Sequence, residues 1–313
     1  MMTLVSEYLD LSKKYTEMYG DKSIVLMQVG SFYEIYAENV DDPKMVIACD
    51  LLNLRIAKKK LAVQTVSMAG FPDHAVKRFE KMLLKNGFTI IFVNQKAEGK
   101  KFARYVENIV SPGANIDENE ETESCLASVI VEVEENDTFV SFTKFDVNTG
   151  MMTFQNNIGV PLKHLKEVVH KLCVDNSINE LLLNIVTVDV EMYDSFELRL
   201  NERFVLVHKK MYSPRDAKTI YNARYQKKKL EKYFDSFANL YRDIFETLDL
   251  NSAIPSDIAN MLFMLEFLEI HDKNLITKLA KPRMINNNQR EYLKKINHVD
   301  KKLDVISENS KNL

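Results

Sequence analysis

Cysteine is scarce: Cys49, Cys125 and Cys173 are the only three, far apart and without a C-x-x-C pair. An odd, dispersed set excludes a disulfide framework and zinc-ligand spacing, and His170 with Cys173 could supply only two ligands on one helix face. No apolar run approaches the roughly 20 residues that span a bilayer, and the amino terminus Met1 to Gly20 is charged and amphipathic rather than a secretory leader. No Gly-x-x-x-x-Gly-Lys-[Ser/Thr] occurs, so a phosphate-cradling loop of that kind is missing. Carboxylates do not converge either. Glu132 and Glu134 alternate along one predicted strand and Asp146 ends the next, with no further acids joining them as divalent-ion catalysis requires. No Ser/His/Asp or Cys/His arrangement stands out. Net charge is only -3, so no global basic field marks the chain. These absences predict a soluble, intracellular binding module that is not secreted and carries no catalytic group, metal or cofactor.

What is present is a folded composition, 46% hydrophobic and 28% charged, over 313 residues, enough for two domains and the start of a third. Charge is unevenly placed. Leu51 to Val110 holds twelve Lys/Arg against four Asp/Glu, including Lys58-Lys59-Lys60 and the group Lys96, Lys100, Lys101 and Arg104. The lysine triplet falls between the β-like runs Leu54–Ile56 and Leu61–Val66. At such a hairpin tip it serves either phosphate contact or solubility.

The most informative stretch runs from Met27 to Tyr36. Ser23 to Val29 reads as a strand, Gly30-Ser31 as a sharp turn, and Phe32 to Ala37 as an aromatic second strand. Alternation puts Phe32, Glu34 and Tyr36 on one face and Tyr33, Ile35 and Ala37 on the other, the better core candidate. The pattern alone fits a half-buried strand with one solvated acid, or an exposed apolar wedge beside one hydrogen-bond acceptor.

Elsewhere, Leu4, Tyr8, Leu11, Tyr15 and Met18 recur at helical spacing up to Gly20. Asp42-Pro43 starts a helix continuing through Met45 to Leu52. Pro72 opens another, with Ala75, Phe79, Met82 and Leu83 as its stripe and a hydrogen-bonding role expected for His74. Phe88 to Asn94 and Phe102 to Val110 are strands. Asp117 to Glu123 reads as an acidic linker. Ala127–Val133, Phe139–Val147 and Met151–Phe154 form an antiparallel meander, followed by a helix through Leu162, Leu165, Val168, Val169 and Leu172. Glu180–Val186 and Phe204–Val207 are buried strands. No strand is predicted beyond Tyr212: Lys227-Lys228-Lys229 sits in a basic helix, and Phe237–Leu248 and Ile258–Ile270 are amphipathic helices.

Gly30-Ser31-Phe32-Tyr33-Glu34, then Met68-Ala69-Gly70-Phe71-Pro72-Asp73-His74-Ala75-Val76, then Val110-Ser111-Pro112-Gly113 resemble, in order and spacing, three signatures of the MutS family of DNA mismatch-repair proteins. The resemblance implies an α/β mismatch-recognition domain over 1–115, a linker over 116–123, and a ribonuclease-H-like connector domain over 124–235. An incomplete all-helical core or lever region would occupy 236–313. It implies that Phe32 stacks on a mispaired base in kinked duplex and that Glu34 hydrogen-bonds to it. Val29, Gly30 and Ser31 would shape the reading turn, Met68 and Ala69 support it, and Lys58, Lys59 and Lys60 hold the backbone. Val29 and Ser31 depart from the commoner family wording, which leaves the preferred mismatch open. Implied partners are mismatched double-stranded DNA, a second subunit in a homodimer or MutS-type heterodimer, and a MutL-type protein. ATP and magnesium belong to an ATPase region with no counterpart here, so the chain is expected to be a fragment of a longer protein. The alternative is a MutS-like scaffold or recombination protein that does not read mismatches.

Overall fold

The computed structural model describes residues 4–60, 65–99, 101–115, 124–134, 137–196, 206–237, 242–277 and 279–285. The predicted acidic linker therefore lies outside the described residues, as do parts of the runs predicted at 61–66 and 204–207. The chain is α/β, built on two mixed six-stranded sheets.

Helix α1 (Leu4–Tyr19) leads into β1 (Ser23–Val29) and β2 (Phe32–Ala37), and then α2 (Pro43–Leu52), β3 (Ala57–Lys60), β4 (Thr65–Pro72), α3 (Val76–Lys85), β5 (Thr89–Glu98) and β6 (Lys101–Val110). The strand order is β3-β4-β2-β1-β5-β6, with β1 and β5 parallel and the other neighbours antiparallel. Asp42 caps α2 by accepting from the Met45 amide at 2.9 Å, and Pro43 sits in the first turn, where its missing N–H costs nothing. Both faces of the sheet are covered. On one, α1 lies over β1 and β2: the Tyr8 hydroxyl donates to the Val25 carbonyl at 3.2 Å, and its ring meets Tyr36 edge-on at 5.3 Å. On the other, Phe71 packs on Phe79 of α3, and Ala37 and Ala69 pack on Met45 and Cys49 of α2.

The helical stripe of α1 is borne by Val5, Tyr8, Tyr15 and Tyr19, while Met18, expected in it, is exposed. Residues 54–56 form no strand. The lysine triplet is itself the edge strand β3 rather than a hairpin tip.

The second sheet begins with β7 (Cys125–Glu134), β8 (Asp137–Asp146) and β9 (Met151–Pro161), an antiparallel meander. Helix α4 (Leu165–Asp175) follows, and then β10 (Glu180–Val186), α5 (Val190–Ser195) and β11 (Leu206–Tyr212), with β10 parallel to both β7 and β11. Helices α6 (Pro214–Ile220), α7 (Ala223–Tyr233), α8 (Ile244–Thr247) and α9 (Pro255–His271) come next, and β12 (Arg283–Met284) joins β9, a strand the sequence did not signal. Alternation along β7 divides two cores. Cys125, Ala127, Val129 and Val131 meet Leu165, Val169 and Leu172 of α4, whereas Leu126 lies with Leu230 of α7 and Met261, Leu265 and Leu268 of α9. The boundary expected at 235 therefore does not divide the core, because α7 and α9 close the second face of this sheet. The single amphipathic helix expected over Phe237–Leu248 is not seen. The described part of that stretch contains only the four-residue α8.

Candidate nucleic-acid interface

The turn joining β1 and β2 projects at one end of the first sheet. Val29 pairs with Phe32 across it, leaving Gly30 and Ser31 as a two-residue loop with φ +63° at Gly30, the arrangement that favours glycine first. Three contacts from outside the hairpin fix its backbone. Gln95 of β5 accepts from the Gly30 amide at 3.3 Å and donates to the Gly30 carbonyl at 3.2 Å. The Asp73 amide donates to the Ser31 carbonyl at 2.9 Å. Phe32, the first residue after the turn, is 46% exposed, whereas Tyr33 is buried and donates its hydroxyl to Asn94 at 2.8 Å.

Beyond Phe32 its face is quickly covered. Glu34 keeps only 12% of its side chain accessible. It is not the solvated acid of the simplest sequence reading: its Oε2 accepts a short hydrogen bond from the Tyr36 hydroxyl, and Lys59 Nζ stands 3.6 Å away. The same Lys59 Nζ donates to the Tyr36 hydroxyl at 2.9 Å. Tyr36 is itself 3% exposed, because α1 lies over it, so this face is core as well as surface. Burial first, and then the Glu34 carboxylate, push the Tyr36 phenol far above its usual range. Gly70 lies opposite Glu34 in β4. A Cβ there would come within 2.8 Å of the Tyr33 carbonyl and 3.3 Å of Glu34 Cγ.

The expected site residues are thus only partly brought together. Lys59 joins Glu34, while alternation sends Lys58 and Lys60 to the opposite face of the edge strand, both exposed. Met68 pairs with Tyr36 on the Glu34 face, but the Ala69 side chain is buried against α2, leaving only its backbone to support the turn. His74 is exposed and hydrogen-bonds to no described residue, contrary to its expected role. Lys227 and Lys229 are paired with Asp243 and Glu266, so that basic run is largely neutralised. Sequence reasoning missed Gln95 and Tyr36, whose roles arise from strands meeting in space.

It also missed the junction behind the third signature. Glu180, with no exposed surface, accepts from Ser111 Oγ at 2.6 Å and from the Gly113 amide at 2.9 Å, and meets His208 Nε2 at 2.6 Å. A Cβ on Gly113 would fall 2.4 Å from Glu180 Cβ, so the approach requires glycine. Burial would raise the pKa of Glu180, but the hydrogen bond and charge of His208, with His271 and Ser111, more than offset it and hold the carboxyl below its usual range. Tyr19 packs edge-on against His208, Phe267 and His271, closing the junction. Among the described residues, no group of three or more His, Cys, Asp or Glu could hold a metal ion.

Residues 3–119 match the family described as MutS domain I. The DNA mismatch repair protein MutS 1 of Haloarcula marismortui is 29% identical over 149 residues, 47% of this chain and 15% of that protein. The MutS protein of Acholeplasma laidlawii is 32% identical over 122 residues, 38% of this chain and 14% of its own length. A MutS protein of Prochlorococcus marinus matches more of the chain, 72%, at 22% identity, again over only 24% of its own length. A solved fowlpox virus resolvase in complex with Holliday junction DNA aligns with 46% of the chain at 14% identity and a TM-score of 0.25, too low to bear on the fold. The matched 3–119 take in all three signatures and the whole first sheet, so this part of the chain is a MutS domain I, and the chain spans less than a quarter of the length of the DNA mismatch repair proteins it is similar to.

Proposed function

We propose that the chain binds duplex DNA at mispaired bases, with Phe32 as a wedge and Glu34 as a hydrogen-bond acceptor. The observation that carries this reading is the exposed Phe32 ring beside a turn that Gln95 and the Asp73 amide hold in place. An unsupported ring would lose its freedom on binding, whereas one on a clamped turn has lost much of it beforehand. Entering the minor groove unstacks a base step at a cost of a few kcal/mol, least where the pair is mismatched, so selectivity follows from deformability. Lys58 and Lys60 hold phosphates without reading sequence. The Glu34 carboxylate favours a duplex in which the mismatch frees a base N–H to donate to it. In this reading the chain is a binding module without catalysis. The whole protein works as a homodimer or MutS-type heterodimer with a MutL-type partner, and ATP and magnesium act outside these residues.

Phe32→Ala tests it. One aromatic–base stack is worth about 1–3 kcal/mol, so the variant should lose about ten- to a hundredfold of its preference for mismatched over matched duplex. Weak matched binding and the melting temperature should stay unchanged, because the ring is not part of the core. A lowered melting temperature with the preference retained would overturn the assignment.

A further inference from the structure

We infer that the Tyr36 hydroxyl is a positioning group for Glu34: it pins one carboxylate oxygen, links it to the charge of Lys59, and leaves the other oxygen to accept from an N–H on the exposed edge of an unpaired base. This deepens the proposed reading and rests on it.

Residues two apart in a strand share a face, so the Tyr36 ring lies beside Glu34 and its hydroxyl can turn back to the carboxylate. The hydroxyl has one proton and two lone pairs. The proton goes to Glu34 Oε2, and one lone pair takes the 2.9 Å hydrogen bond from Lys59 Nζ. The ring has little freedom to do otherwise. Tyr8 abuts it edge-on at 5.3 Å, and Lys59 Nζ lies 5.0 Å from its centroid. Both contacts to Glu34 fall on Oε2, and among the described residues none reaches Oε1. Gly70 lets β4 approach the Glu34 stem closely, since a Cβ there would stand 3.3 Å from Glu34 Cγ.

A free glutamate would have to surrender its rotamers when it met a base, and would carry its full charge towards the phosphates. Here the rotamer is already set and the charge already partnered. Lys59 thereby acts through Glu34, unlike its neighbours Lys58 and Lys60. The ligand this arrangement selects is a base that offers an N–H donor left unpaired by the mismatch. In a correctly paired base the Watson–Crick-edge N–H is already engaged by its partner, and only amino hydrogens directed into a groove remain.

The test is a double-mutant cycle of Tyr36→Phe and Glu34→Ala in the full chain, read by binding to matched and mismatched duplexes and by urea unfolding. Losing one orienting hydrogen bond, at the ordinary net worth of such a bond, should weaken mismatched DNA about three- to tenfold and leave matched DNA within about twofold. In the Glu34→Ala background, Tyr36→Phe should change neither duplex. Equal weakening of both duplexes, the same loss without Glu34, or no loss at all would each show that Tyr36 only packs. Coupling in urea without coupling in binding would also overturn the proposal, because the hydrogen bond would then exist without serving recognition. If Tyr36→Phe folds poorly, Lys59→Met removes the bridge from its exposed end and should give the same selective loss. Phe32→Ala on the same duplexes separates the two levels. No mismatch preference in the unaltered chain, or none lost with Phe32, sinks the mismatch reading and this assignment with it. A preference that depends on Phe32 but not on Tyr36 sinks this assignment alone.

Discussion

Mild acid is expected to destabilise the chain through His271. This side chain is almost fully buried, and burial holds its pKa down to about 4 against an ordinary 6.5. Its Nδ1 donates to the Phe267 carbonyl at 2.9 Å, so in the neutral ring Nε2 carries a lone pair, and that atom is buried without a hydrogen-bond partner. Below pH 6.5 the unfolded chain takes up a proton that the folded chain refuses. The stability is therefore complete above 6.5 and lost as the pH falls towards 4. The two pKa values give a loss of about 2 kcal/mol by pH 5 and about 3 kcal/mol by pH 4. Glu180 acts with the same sign lower down: its depressed pKa contributes stability above the ordinary carboxylate value, and that stability disappears as the pH drops through the folded value. Urea unfolding at pH 7, 6 and 5 checks this, with His271→Phe as the control that cannot titrate. The unaltered chain should lose stability between pH 7 and 5, and His271→Phe should lose about 2 kcal/mol less over the same interval. Equal pH slopes in the two proteins would refute the argument.

Gly113→Ala should cost about 1–3 kcal/mol by overpacking, since its new Cβ would stand 2.4 Å from Glu180 Cβ, and an unchanged urea midpoint would contradict that close approach. Changing Lys58 and Lys60 together to Ala should weaken matched and mismatched duplexes equally and lower the salt dependence by about one unit of slope for each lysine. Loss confined to mismatched DNA would show that these two side chains do not clamp phosphates.

Much of the first sheet was legible because its signals are local. The strand–Gly30-Ser31–strand pattern fixes a hairpin by turn chemistry, and Asp42-Pro43 announces a helix by capping. The exposure of Phe32 follows from its place beside the turn. The remainder depends on what comes to lie above each strand. Tyr36 shares Phe32's face by alternation, yet only the position of α1 makes it buried, and nothing in the order of residues says that α1 reaches it. The lysine triplet misled for a related reason. Three adjacent cations look like one patch, but in a strand they divide two to one, and the odd one finds a carboxylate. Met68 and Ala69 divide in the same way. The junction was illegible because Ser111, Glu180 and His271 are brought together across both sheets and α9, and such contacts leave no period in the sequence. The shared packing of α7 and α9 on the second sheet was illegible because amphipathicity shows that a helix has a partner but not which one.

The carboxylate of Glu180 has a mechanical consequence. Ser111 and Gly113 close the first sheet's chain, Glu180 belongs to the second sheet, and His271 ends the helix that covers it. Rotating the first sheet away would strip two donors from an anion that has no exposed surface, and water would have to enter before the swing could finish. The corner between the two sheets is therefore stiff, welded by one buried carboxylate rather than hinged.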